Sequence, residues 1–288
     1  MISNSMQSAR GFEYGVRHII SPQSGAVCDV LLGISDLDRD YIQFLLDLGS
    51  IYLNHNRLKE NSSVSVGDYL RVHTKPRRFL ADDGKWNERI LFHNEHFVVA
   101  RKISGLPVHA SVDNQKEHLQ RYLENTLNCS LYGTHRLDVP TKGLIVYAKT
   151  TEFQTAFNKM LIAREITKIY RALVQGQGLA TGLLTHYMEP SPRAPKKVSR
   201  ESQEGWQDCV LEILDIDLKE ENRSEVRIHL HTGRTHQIRA QLGCEGHPII
   251  GDHAYGAVKL WEEERIELEA CELRFTNPLT GEPHHFQI

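Results

Sequence analysis

Three short segments set dense polar clusters hard against apolar, strand-like runs: HRLDVPTKGLIVYAK from His135 to Lys149, REITKIYRALVQG from Arg164 to Gly176, and HLHTGRTHQIRAQL from His229 to Leu242. A chain built on such runs presents its polar residues from a rigid scaffold into a cleft. At 288 residues it has room for about two domains of ~150 residues, so one domain of catalytic size with an appendage fits. Hydrophobic residues make up 40% and charged ones 25%, ordinary values that exclude disordered, collagen-like and disulfide-scaffold classes. The 34 Lys+Arg against 37 Asp+Glu leave a net charge of −3, so any nucleic-acid surface must be local. Cys28, Cys129, Cys209, Cys244 and Cys271 form no CxxC pair, which suggests neither a zinc knuckle nor a disulfide framework and fits a reducing cytoplasm. The N-terminus has no apolar signal core, and no apolar run approaches the ~18 residues of a membrane span. A cytoplasmic location without membrane partners is expected.

Along the chain, residues 1–26 read as an extension and 27–74 as a small α+β module. DVLLG and DRDYIQFLLDLG have helical spacing with Gly49 at a helix stop, and IYLN and DYLRVH alternate as strands, the latter entered through a Gly67-Asp68 turn. Residues 75–88 are polar and read as a linker. From 89 to 288 strands and helices mix. ILF, FVVARK, GLIVYAKT, KIYRALVQG, EVRIHLHT and IELEACELRF read as strands, and NQKEHLQRYLENTL, with Asn114 as its cap, and TEFQTAFNKMLIAR as helices. Pro190 to Gly205 reads as an exposed loop whose Arg193, Lys196, Lys197 and Arg200 suit a solvated surface or a phosphate contact, and charge alone does not decide.

Asp138 stands between Leu137 and a Val-Pro turn, just before a buried strand; locally it reads equally as a projecting acid or a turn-forming aspartate. Tyr170 and Leu273 read locally as ordinary strand residues. Of the 16 histidines, His229 and His231 share one strand face, but no HExxH or Cys/His set accompanies them, and no metal is expected.

Taken together, the segments resemble the RluA-type pseudouridine synthases: HRLD-x-x-T-x-G from His135, K-x-Y-x-A-x-V-x-G from Lys168, then TGRTHQIR, GHPIIGDHAYG (246–256) and ELRFTNPLTGE (272–282), in the family's order. The 27–74 module is similar to the ribosomal S-four-like RNA-binding domain, although AVCDVLLG replaces its usual basic start. The resemblance implies an α+β catalytic fold with a mixed, mostly antiparallel central sheet and flanking helices. It also implies isomerisation of uridine in ribosomal or transfer RNA by a monomer, without cofactor or metal. Cleaving the N-glycosidic bond builds positive charge on the ribose that a carboxylate can stabilise or trap, and Asp138 falls on the family's catalytic aspartate. Arg239 matches its arginine partner, and Tyr170 the tyrosine that packs on uracil and helps remove a proton. Leu273 matches the apolar residue that closes the pocket, and Arg136 the side chain that fills the space left by a flipped base. His135 and Arg234 are further substrate contacts; Arg234 is also a second candidate, after Arg239, for the aspartate's partner, and otherwise organises its turn or meets backbone phosphate. Lys168, Thr232, Thr235, His236 and Gln237 complete the motifs as organisers of loops. Val139-Pro140 and Lys142 depart from the family's pattern after the aspartate, and ARKISG (100–105) lacks its Lys-Pro pair. Two other classes compete: an RNA-binding or RNA-folding protein on the same fold with little or no turnover, and an N-glycoside hydrolase that would release free uracil.

Overall fold

The carboxylate of Asp38 accepts a hydrogen bond from the Tyr41 N–H at 2.7 Å and opens the helix Arg39–Leu48, which ends where Gly49 turns left-handed at φ 71°. Its apolar residues Ile42, Leu45 and Leu46 recur at helical spacing and pack on Val27, Val30 and Leu31 of the preceding helix Val27–Ile34, and on Ile51, Leu70 and Val72. The computed structural model describes residues 15–80, 82–258 and 265–288. These form two units, one of residues 15–80 with 109–121 and one of the remainder. Among them no helix is long and apolar enough to cross a membrane.

The first unit closes its core with a four-stranded antiparallel sheet in the order Val16–Ile20, Tyr69–His73, Ile51–Leu53, Asn56–Arg57. Its edge strand Val16–Ile20 comes from the residues expected to be an extension. Residues 109–121 belong here because Asp113 accepts three hydrogen bonds from Arg77 through its backbone N–H, Nε and Nη2. The Ser50 hydroxyl also donates to the Asp113 carbonyl at 2.6 Å. Asn114 does not cap a helix. Its Oδ1 accepts from the Lys116 and Glu117 N–H groups in a turn, and the helix starts only at Leu119. The stretch expected as a linker divides between the units. Phe79 is buried and Arg78 pairs with Glu117 in the first, whereas Trp86 stacks on Tyr122 at 4.6 Å in the second.

His73, 9% exposed, feels Arg71, Arg57 and His18, which oppose its protonation, and Asp113, which favours it. Burial, aided by Arg71, lowers its pKa to about 4. The unfolded chain then binds the extra proton below about pH 6.5 and the folded one only near 4, so stability is complete above 6.5 and falls across that window. We expect thermal unfolding between pH 6.5 and 4 to lose about 2 kcal/mol from this group, the full shift being reduced by solvent screening. His73→Phe should flatten that part of the stability curve, and an unchanged curve would rule His73 out.

The second unit is built on an eleven-stranded sheet among the described residues. Its path runs Val198–Ser199, Gly182–Met188, Gln207–Lys219, Arg223–Leu230, Thr167–Gln175, Leu268–Thr276, Lys142–Ala148, Phe97–Lys102, Ile90–His93, with Pro283–Gln287 and Tyr132–Gly133 pairing off it. Only Lys142–Ala148 against Leu268–Thr276 is parallel; every other pairing is antiparallel, so the sheet is mixed and mostly antiparallel as expected. Strand Lys142–Ala148 is buried throughout from Gly143, as its apolar run predicts. Gly143, at φ 114°, approaches so closely that a Cβ would stand 2.3 Å from the Ala270 carbonyl oxygen, so no other residue fits without moving the strand. The helix Thr151–Ala163, capped by the Thr150 hydroxyl, buries Phe153 and Phe157 against Phe97, Leu144, Val146 and Phe275.

Candidate active site

Asp138 lies in the turn that leads into strand Lys142–Ala148, where the Thr141 N–H donates to its carbonyl at 3.1 Å. The turn is clamped from the end of strand Phe97–Lys102. Lys102 is fully buried, and its ammonium donates to the carbonyls of Ile103 (3.0 Å), Val139 (2.8 Å) and Thr141 (2.6 Å). The Ser104 hydroxyl donates to the Pro140 carbonyl at 2.7 Å, and the Gly105 N–H to that of Val139 at 2.9 Å. Burial lowers the Lys102 pKa to about 7 against the raising effect of Asp138.

The carboxylate opens into a cavity of about 570 Å³ whose walls include Arg136, Lys168, Tyr170, Arg234, His236 and Arg239. Arg239 Nη1 lies 3.3 Å from Asp138 Oδ2. The guanidinium is fixed from behind by Asp252, with Nε donating to Oδ2 at 2.7 Å and Nη2 to Oδ1 at 2.9 Å. Asp252 is 1% exposed and Arg239 7%, whereas Asp138 keeps 19% of its side chain accessible. A buried bidentate pair thus presents one remaining N–H edge to the accessible carboxylate, the geometry for which arginine is suited. Tyr255 braces the group. Its ring lies 5.1 Å from the Arg239 guanidinium carbon, and its hydroxyl lies 2.9 Å from His236 Nδ1 and accepts from the Lys196 N–H at 2.8 Å.

The helix Gln237–Cys244 carries Arg239, and a buried amide chain sets where it begins. Gln237 Oε1 accepts from the Thr232 hydroxyl at 2.8 Å and the Arg234 N–H at 3.0 Å, while its Nε2 donates to Gln241 Oε1 at 2.9 Å. The motif residues Thr232 and Gln237 are therefore organisers of this turn. His236, at φ 58°, brings Nε2 to 3.8 Å from Asp138, and burial lowers its pKa despite that carboxylate. At neutral pH it is an uncharged neighbour.

Tyr170 is 6% exposed, and burial together with Asp138 pushes its phenol well above the usual range. A phenol that stays protonated can pack on a base and donate a hydrogen bond, but it is poorly suited to the expected proton removal. His135 is part of the wall, with Nε2 accepting from the Val146 N–H at 3.1 Å, which ties the motif to the strand. Arg136 is exposed at the cavity and forms no ion pair among the described residues. Leu273 does not close the pocket. It is 3% exposed and packed in the aromatic core with Phe97, Phe157 and Phe275, while Leu268, earlier on the same strand, lines the cavity. Both leucines stand on strand Leu268–Thr276, and the folded sheet brings Leu268 to the cavity.

Among the described residues two groups of possible metal ligands occur, His186 with Cys244 and Glu245, and Glu212 with His229 and His231, the ligand atoms within each group lying within 4.8 Å of one another. Glu212, paired across from His229 on the neighbouring strand, is a third ligand that the linear sequence conceals. Burial first, then His231, lowers the His229 pKa, with Lys168 and Arg274 adding to the effect and Glu212 opposing it. The Pro190–Gly205 stretch is anchored as well as exposed, since Arg200 pairs through two hydrogen bonds with Glu245 at 3.0 and 2.9 Å.

Sequence reasoning missed Lys102, Ser104, Asp252 and Tyr255. The last two stand inside GHPIIGDHAYG, so the motif marked the region without disclosing their partners.

The family model for RNA pseudouridylate synthase matches residues 96–243. The chloroplastic RNA pseudouridine synthase 6 of Oryza sativa subsp. japonica is 35% identical over 218 residues, covering 68% of this chain and 46% of that protein, so the chain spans about half of its length. The ribosomal large subunit pseudouridine synthase D of Xanthomonas campestris pv. campestris is 32% identical, with 97% of this chain and 90% of that one covered. Among solved structures, human RNA pseudouridylate synthase domain containing 1 superposes with a TM-score of 0.57 at 23% identity, over 69% of this chain and 82% of that one, a likeness of fold.

Proposed function

Since the chain belongs to the RNA pseudouridylate synthase family, we propose that it isomerises specific uridines of structured RNA, ribosomal or transfer, to pseudouridine, as a cytoplasmic monomer that needs no cofactor. The observation that carries this reading is the Asp138 carboxylate, accessible in a cavity and held by an arginine that a second, buried carboxylate fixes in place.

The uridine must first leave its stack, at a cost of a few kcal/mol. Arg136 enters the vacated space, a reading supported by its exposure at the cavity and by its having no ion pair among the described residues. Asp138 then attacks the ribose C1′ or stabilises its positive charge as the bond to uracil N1 breaks with its electron pair on the base. Tyr170 packs on the freed uracil while it rotates. Carbon C5 bonds to C1′ as any bond from the carboxylate to C1′ breaks and returns its electron pair to Asp138; the C5 proton then passes to solvent and N1 takes one up, which restores the aromatic ring with no net change of mass. Arg239 orients Asp138 throughout, and Arg234 meets the backbone. The 27–74 module serves as an additional RNA contact. Several of the first unit's arginines already face acids, Arg17 with Asp36 and Arg39 with Asp29 among them, so its contribution to affinity is modest.

Mapping of pseudouridine on total RNA and on unmodified transfer and ribosomal transcripts tests the proposal. Sites made by the wild type but not by Asp138→Asn, with intact RNA mass unchanged, support isomerisation. A mass loss matching the base would mark a hydrolase, and RNA binding without new sites would leave an RNA-binding protein. Asp252→Asn is expected to lower kcat by about 10²-fold with little change in KM, because the loosened guanidinium lets the carboxylate drift by about an ångström. A variant of wild-type kcat would show that Asp252 supports the fold alone.

A further inference from the structure

Arg164 follows the last turn of helix Thr151–Ala163 at φ 61°, a left-handed position that glycine or asparagine occupies at less cost. Its side chain gives a reason for the choice. Arg164 Nη2 lies 3.3 Å from Asp208 Oδ2, and Arg234 Nη2 lies 3.4 Å from Asp208 Oδ1. Arg234 Nε also reaches the Asp208 backbone carbonyl at 3.4 Å. One carboxylate therefore stands between two guanidinium groups that come from separate parts of the chain. The distances exceed the 2.7–2.9 Å of strong charge-assisted bonds. The side chains of Arg164, Arg234 and Asp208 are 53%, 38% and 46% exposed, so the pairs are open to exchange with solvent and ions. Both arginines line the cavity that holds Asp138, and beside them stands Ile162, an apolar side chain left 83% exposed.

We infer that Arg164 and Arg234 form a seat for one RNA phosphodiester at the mouth of the cavity, that Asp208 occupies this seat in the free protein, and that Ile162 meets the adjoining nucleotide. Two guanidinium forks receive the oxygens of a phosphate as they receive those of a carboxylate. An incoming phosphodiester releases Asp208 to water, so Asp208 acts as an internal competitor that weakens RNA binding until a backbone presents its phosphate at this point. The inference rests on the RNA reading above only in that the cavity meets RNA.

The test measures affinity, in an Asp138→Asn background that halts turnover, for a fluorescein-labelled RNA hairpin with an all-uridine loop over a series of salt concentrations. Asp208→Asn should tighten binding about 3- to 10-fold. Arg164→Gln should weaken it and reduce the slope of log affinity against log salt by about 1. With both arginines changed to Gln, Asp208→Asn should no longer tighten binding, which separates a local seat from a general effect of removing negative charge. The inference is overturned if Asp208→Asn changes nothing, if it tightens equally without the arginines, or if no variant binds the hairpin at low salt. Pseudouridine mapping with wild-type protein keeps the two readings apart. Sites formed without the Asp208 effect sink the seat alone, and the Asp208 effect without sites sinks the isomerase reading alone.

Discussion

Asp138→Asn is expected to reduce pseudouridine formation on the order of 10⁴-fold or more, while RNA affinity and melting temperature stay close to those of the wild type. In the proposed isomerisation the amide has neither the charge nor the nucleophilic oxygen that ribose C1′ requires, and among the described residues no other carboxylate lines the cavity. Such a variant is informative here because of the partner it leaves behind. Arg239 remains paired with Asp252 through two hydrogen bonds at 2.7 and 2.9 Å, so the substitution strands no buried cation. The amide oxygen can still accept from Arg239 at the place of Oδ2. Single-turnover assays with melting curves check the expectation, and retention of more than a hundredth of wild-type rate would remove Asp138 from the chemistry.

Lys102→Met should lose both activity and stability, the latter by about 3 kcal/mol, since the donor to three carbonyls in a buried place is removed. Equilibrium unfolding measures the cost, and a loss below about 1 kcal/mol would mean that the clamp is dispensable. Proton linkage gives this lysine a second signature. Its folded pKa of about 7 lies below the unfolded value near 10.4, so between those limits the unfolded chain binds more protons and stability rises with pH. The slope is at most about 1.4 kcal/mol per pH unit. Over the same window the neutral amine has two hydrogens for three carbonyls, and the Asp138 turn loses one of its bonds. Wild type is therefore expected to gain stability and lose activity together as pH rises above 7. Lys102→Met should show neither trend.

Much of the fold could be read from periodicity, because a buried strand such as Lys142–Ala148 and a helix such as Arg39–Leu48 announce themselves within a few residues. The N-terminal edge strand and the attachment of residues 109–121 could not. Val16–Ile20 is a strand through its pairing with Tyr69–His73, and Asp113 belongs to the first unit through Arg77, contacts that local pattern does not encode. The site divides in the same way. Asp138 and Arg239 were legible as members of motifs, but their supports, Asp252 and Lys102, act through tertiary contacts. Lys102 was visible only as part of a segment lacking an expected proline, and its role depends on burial beside the Asp138 turn. Leu273 was assigned to the pocket by the family resemblance, whereas its local reading as an ordinary strand residue agrees with its place in the aromatic core.

The restraints on the Asp138 turn end on peptide oxygens, from Lys102 to Val139 and Thr141 and from Ser104 to Pro140. A peptide oxygen is present whatever side chain its residue bears, so this grip is indifferent to the amino acids it holds. Positions 139, 140 and 142, where the chain departs from the motif it resembles, can therefore carry other side chains, and so change the surface offered at the cavity, while the Asp138 carboxylate stays in register. Side-chain variety in the turn and a fixed carboxylate are separable consequences of one buried amine.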